Sequence, residues 1–267
     1  MSEQHFDVLV LGGGSGLTAT YWAEQAGRSI ALVEPGPLGG TCVNRGCIPT
    51  KTLIQSAKVA RTIRNAEAFG IHPPSGSPQA DFQGIMKRMR SMRQDNVAHT
   101  QAWIEGSDEI TWFKQHARFT GERTVEVGEH TLTADHVFVC TGARPRVPPI
   151  DGIEDVDHLT NREVLDELDH QPDHLIILGG GYIGLEFANF FEGIGTDVTV
   201  IDSSQCLTRE DQDVREVVTQ RVAAYTNLIN GARATQVHQE DDTITLTVDR
   251  DGATLQVTGD ALLVATG

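Results

Sequence analysis

The sequence predicts an α/β fold made of two parallel-sheet domains. Two stretches carry one pattern. FDVLVLGGGSG (residues 6–16) and HLIILGGGYIG (174–184) each set an apolar strand before three glycines. A helix follows in each, and then a second strand ending in an acid: SIALVE at Glu34 and DVTVID at Asp202. Elsewhere the apolar residues come in short dense runs, VFVC and ALLVATG among them, as in strands covered on both faces. A strand–turn–helix–strand unit written twice in 267 residues gives two domains of ordinary size.

Between the two units the chain reads as a helix from about Thr50 to Phe69, a loop PPSGSPQ (73–79) and a second helix from about Phe82 to Ile104. Short alternating strands follow in ITWFKQHARF, RTVEVG and HTLTADHVFVCTG. The turn-rich ARPRVPPIDGIEDV (143–156) marks the boundary, placing the domains at 1–147 and 148–267. After the second unit, TITLTVDRDGATLQVTGDALLVATG reads as a hairpin turning at Asp251-Gly252, followed by a buried strand.

Composition narrows the function classes. A net charge of −16 argues against a nucleic-acid partner, because phosphate binding needs a basic patch. The lysines are Lys51, Lys58, Lys87 and Lys114, and an acidic, lysine-poor surface is expected of a protein that works in high salt. No apolar run reaches the roughly 20 residues of a membrane helix, and the N-terminus MSEQHFD has no basic, apolar leader pattern. A cytoplasmic protein is the expectation. In that reducing setting a close pair of cysteines reads as catalytic or metal-binding before it reads as a staple.

The glycines have a physical reading. In a Rossmann-like unit the first permits a tight turn and the second lets backbone approach a pyrophosphate. The third lets helix and strand pack closely, and the acid beyond holds a ribose hydroxyl. The second unit has all four parts in Gly179, Gly181, Gly184 and Asp202. Asp202 would repel a 2′-phosphate, which favours NADH over NADPH. The first unit has Gly12, Gly14 and Glu34, but Leu17 stands at the third position, where it is expected to push the helix off the strand or force a local shift.

GGTCVNRGCIPTK (39–51) places Cys42 and Cys47 close behind the first glycine turn. Cys140 and Cys206 stand apart in sequence, which disfavours zinc, although a zinc half-site and a pair of inert thiols stay open. Redox chemistry is favoured. On a straight helix the five-residue step from Cys42 to Cys47 rises ~7.5 Å, beyond the roughly 4.4–6.8 Å that a relaxed disulfide spans. A bridge there would distort the helix and be easily reduced. Arg45 and Lys51 would favour a thiolate, and Gly39, Gly40 and Gly46 would admit a flat ligand.

GGTCVNRGCIPTK between one glycine fingerprint and a second reading GGGYIGLE, with CTGARP and VATG closing the two units, resembles the class I pyridine nucleotide-disulfide oxidoreductases. That flavoprotein group includes dihydrolipoamide dehydrogenase, mercuric reductase and glutathione reductase. The resemblance runs over essentially the whole chain and implies two dinucleotide-binding domains, with FAD in the first and NAD(P)H in the second. It implies that Cys47 faces the flavin and Cys42 exchanges with substrate. It also implies that Lys51 and Glu186 pair beside the flavin ring and that Tyr182 covers the nicotinamide pocket. Gly40, Thr41, Thr141 and Gly142 match segments that approach FAD. The implied substrate is a small-molecule disulfide or a thiol-bound metal.

The chain also departs from that pattern. It stops at LLVATG, where the family continues into a return to the FAD domain and a C-terminal interface domain. That interface domain supplies a histidine–glutamate pair across a homodimer, and no histidine here matches it. The expectation is a fragment of a longer homodimeric enzyme, itself able to be a monomer, with a nucleotide-binding module without turnover as the competing reading.

Overall fold

The computed structural model describes residues 2–72 and 79–267. Apart from Gln79, the loop expected at 73–79 lies outside the described residues. Two compact units emerge, Met1–Pro49 with Ser91–Arg144, and Thr50–Arg90 with Pro145–Gly267.

The first unit opens with β1 (Ser2–Leu11), α1 (Gly16–Gln25) and β2 (Ile30–Val33). Next come α2 (Gly40–Arg45) and the start of α3 (Cys47–Arg64). The later part of α4 (Phe82–Glu105) leads into β3 (Ile110–Phe113), β4 (Ala117–Gly121), β5 (Thr124–Val127) and β6 (His130–Val139). Among the described residues they form one sheet in the order β3-β2-β1-β6-β5-β4, with β3, β2, β1 and β6 parallel. Alternation divides the strands between two cores. Leu9, Leu11, Ala31 and Val33 face one side with Val125 and Leu132, while Val8, Val10, Ile30 and Leu32 face the other with Leu38 and Ile104. Covered on both faces, the end of β1 (VLVL) and β2 (IALV) read in sequence as unbroken apolar runs.

ITWFKQHARF, read above as one strand, divides into β3 and β4 at opposite edges of this sheet. The pleat gives the physical reason. β3 pairs in parallel with β2, whereas β4 closes an antiparallel hairpin with β5, so the chain must leave one edge to reach the other.

The second unit has β7 (His158–Leu159), α5 (Asn161–Asp166), β8 (His174–Leu178), α6 (Tyr182–Ile194), β9 (Asp197–Asp202), α7 (Gln212–Ala223) and β10 (Asn227–Asn230). It ends in β11 (Ala232–Glu240), β12 (Thr243–Arg250), β13 (Ala253–Gly259) and β14 (Ala261–Val264). The parallel sheet runs β10-β9-β8-β14-β7, so β10-β9-β8-β14 repeats β3-β2-β1-β6 of the first unit. β11, β12 and β13 form a separate antiparallel sheet, in which the expected hairpin gains β11 as a third strand.

Why α3 and the start of α4 group with the second unit follows from packing, whereas the sequence reading drew a single line at 147/148. Leu53, Ala57, Phe82, Met86 and Met89 share one core with Phe187, Phe190 and Phe191 of α6. Each of those phenylalanines is essentially fully buried, which stabilises by roughly 1.5–3 kcal/mol apiece. At Gly193 the two helices touch: a Cβ there would lie 2.4 Å from that of Ala57.

Candidate active site

Both glycine turns are built bond for bond alike. In the first unit Gly12 adopts φ +111° and its N–H donates to Val33 O at 2.8 Å. A side chain on Gly12 would run into Cys140 O at 2.1 Å, so the turn packs against the backbone just before Thr141 and Gly142. The second unit repeats this. Gly179 has φ +108°, its N–H donates to Ile201 O at 2.8 Å, and a Cβ would meet Ala265 O at 2.4 Å, just before Thr266 and Gly267.

The two acids sit where a ribose is expected, each already held by backbone. Gly13 N–H donates to Glu34 Oε2 at 2.7 Å and Gly36 N–H to Oε1 at 2.8 Å. Gly180 N–H donates to Asp202 Oδ2 at 2.7 Å and Ser204 N–H to Oδ1 at 2.8 Å. In the first unit the Trp112 indole N–H also donates to Glu34 O at 3.1 Å, an anchor that sequence reading missed.

Of the two outcomes expected for Leu17, α1 pushed off the strand or a local shift, the structure shows the local shift. The close approach falls one residue earlier: a Cβ on Gly16 would lie 2.5 Å from Val10 Cγ1. Leu17 instead packs against the core formed by Val8, Val10, Ile30 and Leu32. A glycine in FDVLVLGGGSG was therefore available for the role, displaced by one position from the fingerprint. In the second unit Gly184 does this work, with a Cβ position 2.1 Å from Gly179 O and 3.2 Å from Ile177 Cγ2.

Space for a ligand lies at Gly181 and Gly142, whereas Gly14 is closed by Gly40, whose Cα lies 3.1 Å from a Cβ built there. Nothing is within 4 Å of a Cβ built on Gly181 or Gly142, and Thr141 and Gly142 are exposed. Tyr182 begins α6 and is 65% exposed, so it does not pack into the helix seam. The open Gly181 with the fixed Asp202, and the open Gly142 in the unit that holds the fixed Glu34, suit a dinucleotide in each unit.

The cysteine segment is fixed to the first turn. Gly39 N–H donates to Gly13 O at 2.7 Å, and a Cβ on Gly40 would meet Gly14 Cα at 2.5 Å. The buried Asn44 side chain donates to Leu38 O and Gly40 O, both at 3.0 Å, and Arg93 Nη1 donates to Asn44 O at 3.2 Å. Thr41, Cys42 and Cys47 are exposed. The straight helix assumed for the cysteine pair is absent. α2 stops at Arg45, Gly46 takes φ −141° and ψ −116°, and α3 starts at Cys47. A Cβ on Gly46 would lie 3.0 Å from Thr41 O, so the break folds the chain back on α2.

Lys51 and Glu186 meet within the second unit, Nζ donating to Oε1 at 2.5 Å with side chains 60% and 26% exposed. The parallel run of α3 along α6 sets this contact. Further on, Arg61 donates to Glu192 Oε2 at 2.6 Å and to Asn189 O at 2.6 Å. Lys51 is thus paired with a carboxylate, as the resemblance implied. Cys206 is buried, and burial first, with the Asp202 charge beside it, pushes its thiol up to about 11. Its Sγ donates to Asn230 Oδ1 at 3.3 Å.

Among the described residues no group of three or more His, Cys, Asp or Glu side chains is placed to hold a metal ion. Nor is any described helix long and apolar enough to cross a membrane.

Comparison with known proteins agrees with this geometry. Residues 6–267 match the family described as pyridine nucleotide-disulphide oxidoreductase. The chain is 30% identical to a mercuric reductase of Bacillus cereus, over 98% of this chain and 42% of that protein. It is 33% identical to a dihydrolipoyl dehydrogenase of Bacillus subtilis, over 80% of this chain and 48% of that one. Among solved structures it superposes on the Cu(II) complex of the HOCl-induced flavoprotein disulfide reductase RclA from Escherichia coli. The TM-score is 0.82 at 27% identity, covering 99% of this chain and 57% of that one. The chain thus spans about half the length of the curated relatives it matches.

Proposed function

Since the chain belongs to the pyridine nucleotide-disulphide oxidoreductase family, whose members use FAD and NAD(P)H, we propose that it is the electron-transfer part of a reductase. In this reading electrons from NAD(P)H reach the Cys42–Cys47 pair and pass to a small-molecule disulfide or a thiol-bound metal ion. The observation that carries it is the pairing of two matched dinucleotide turns with an exposed cysteine pair fixed to the first of them.

Gly12, Gly14, Glu34, Gly40, Thr41, Thr141 and Gly142 would hold FAD. Gly179, Gly181, Gly184 and Asp202 would hold the nicotinamide coenzyme, with the exposed Tyr182 as its cover. When bound, FAD supplies a two-electron carrier between the nicotinamide and the dithiol. Lys51, its ammonium paired with Glu186, would supply a positive charge to that step, the role the family resemblance implies for the pair. In the exchange step the Cys42 thiolate attacks a substrate disulfide, and one substrate sulfur leaves as a thiol after taking a proton. Cys47 then displaces the second sulfur and restores the Cys42–Cys47 bridge. NAD(P)H and one proton balance the disulfide reduced to two thiols. Asp202 supports NADH as the preferred donor, because a carboxylate repels a 2′-phosphate. A reducing, cytoplasmic setting suits a reducible dithiol, and the dimeric habit of the family supports a homodimer.

An anaerobic visible spectrum before and after NADH tests this reading. A flavin band that bleaches, with a new long-wavelength absorption dependent on Cys47, is the expected result. A colourless protein that binds no added FAD would overturn it. Thiol titration with and without reductant separates the competing module without turnover, which would have no reducible pair.

A further inference from the structure

The two acids that close the dinucleotide turns differ in how many bonds the protein has already spent on them. A carboxylate offers about four lone-pair positions. Glu34 accepts one backbone N–H on each oxygen, from Gly13 and Gly36, so each oxygen keeps a position for a ligand hydroxyl. Asp202 accepts the equivalent backbone bonds from Gly180 and Ser204. It also takes a third: Ser204 Oγ–H donates to Oδ1 at 2.8 Å. Oδ1 is then saturated. Gly36 and Ser204 both lie two residues beyond their acid, so the hydroxyl of Ser204 supplies the bond that the first unit lacks.

We propose that Ser204 is a specificity-determining residue, whose hydroxyl competes with the coenzyme ribose for Asp202 and thereby relaxes the choice of NADH over NADPH. This rests on the reading that the second unit holds a nicotinamide dinucleotide. With the hydroxyl on Oδ1, Asp202 has one oxygen left for the ribose instead of two. Ser204 is exposed, so the hydroxyl can be displaced, and Gln205 O lies 3.4 Å from Oγ as an alternative acceptor. Swung off Asp202, the same hydroxyl is a donor that a 2′-phosphate oxygen can accept, which offsets part of the repulsion from the carboxylate. One side chain thus weakens the grip on an unphosphorylated ribose and eases entry of a phosphorylated one.

The test is fluorescence titration of the 267-residue chain with NADH and with NADPH, for wild type, Ser204→Ala and Ser204→Thr. In Ser204→Ala the ratio of the NADPH to the NADH dissociation constant should rise roughly three- to tenfold, the size of one hydrogen bond. Ser204→Thr keeps a hydroxyl and should keep the wild-type ratio. A general loosening of the loop would weaken both coenzymes together and leave the ratio unmoved. An unchanged or falling ratio in Ser204→Ala overturns the role of Ser204 while the coenzyme reading stands. Failure of the wild-type chain to bind either coenzyme overturns both.

Discussion

The first and second dinucleotide turns share a backbone but not the side chains laid over it. Gly12 and Gly179 adopt nearly the same φ, press on the carbonyl just past the equivalent closing strand and donate the same bond to the second strand. Four residues past each acid a buried side chain seals the turn, Leu38 in one unit and Cys206 in the other. Five residues past it comes a left-handed residue whose N–H bonds back to the turn, Gly39 to Gly13 O at 2.7 Å and Leu207 to Gly180 O at 3.0 Å. Leu207 holds φ +55° without being glycine, at a cost of about 1–2 kcal/mol, offset by packing against the core that surrounds α6. The lesson is that backbone bonds define the turn, whereas side chains are free to differ wherever neighbouring atoms leave room.

The largest test is a methyl group on the first glycine of each turn. Gly12→Ala and Gly179→Ala each force a left-handed alanine against a backbone carbonyl, so each should lose on the order of 3 kcal/mol in urea unfolding. Gly181→Ala meets nothing within 4 Å and should stay near wild type in stability. Equal losses at all three positions would break the comparison.

Next in size is the exchange of roles between Gly16 and Leu17. Gly16→Ala should cost about 2 kcal/mol by overpacking against Val10. Leu17→Gly should cost about 1–2 kcal/mol in lost packing and helix propensity and leave FAD affinity within about twofold, since the close approach does not involve position 17. A tenfold gain in FAD affinity in Leu17→Gly would restore the fingerprint's third position to its usual importance.

A pH titration separates Leu38 from Cys206. The Cys206 thiol rises from 9.0 to about 11 on folding. Between those values the unfolded chain sheds a proton that the folded chain keeps, so stability falls as pH rises, by about 3 kcal/mol in total. Leu38 does not ionise. Cys206→Ala should therefore flatten the decline between pH 9 and 11, and an unchanged slope would assign it to other groups.

The smallest effect is expected at the seam of α3 and α6. Lys51→Ala removes an exposed ion pair, worth less than about 1 kcal/mol, and Arg61→Ala should cost more, because its guanidinium bonds both a carboxylate and a backbone carbonyl. If calorimetry ranks the two in reverse, the seam is held by Lys51 instead.

Much of this was legible beforehand because it depends on local order. The repeated strand–glycine–helix–strand–acid pattern produced β1-α1-β2 and β8-α6-β9. The Asp251-Gly252 turn has φ of 51° and 81°, as a tight hairpin requires. The helix read from about Phe82 to Ile104 is α4, Phe82–Glu105. What escaped reading depends on neighbours distant in sequence. Examples are the transfer of chain from β3 to β4 across the sheet, the addition of β11 to the hairpin, and the bond from Trp112 to Glu34 O.

By itself the sequence determined the two units, their glycines and acids, and the cysteine segment that follows the first turn. These are set by backbone conformations that few residues can adopt and by apolar periodicity, both written locally. Only the tertiary structure decided that Gly16 replaces Leu17 at the close approach and that Gly46 breaks the helix between the cysteines. It also decided that Ser204 occupies a lone pair of Asp202. Each of these turns on which atoms come within a few ångströms of one another across separate elements, and residue spacing along a chain does not encode that distance.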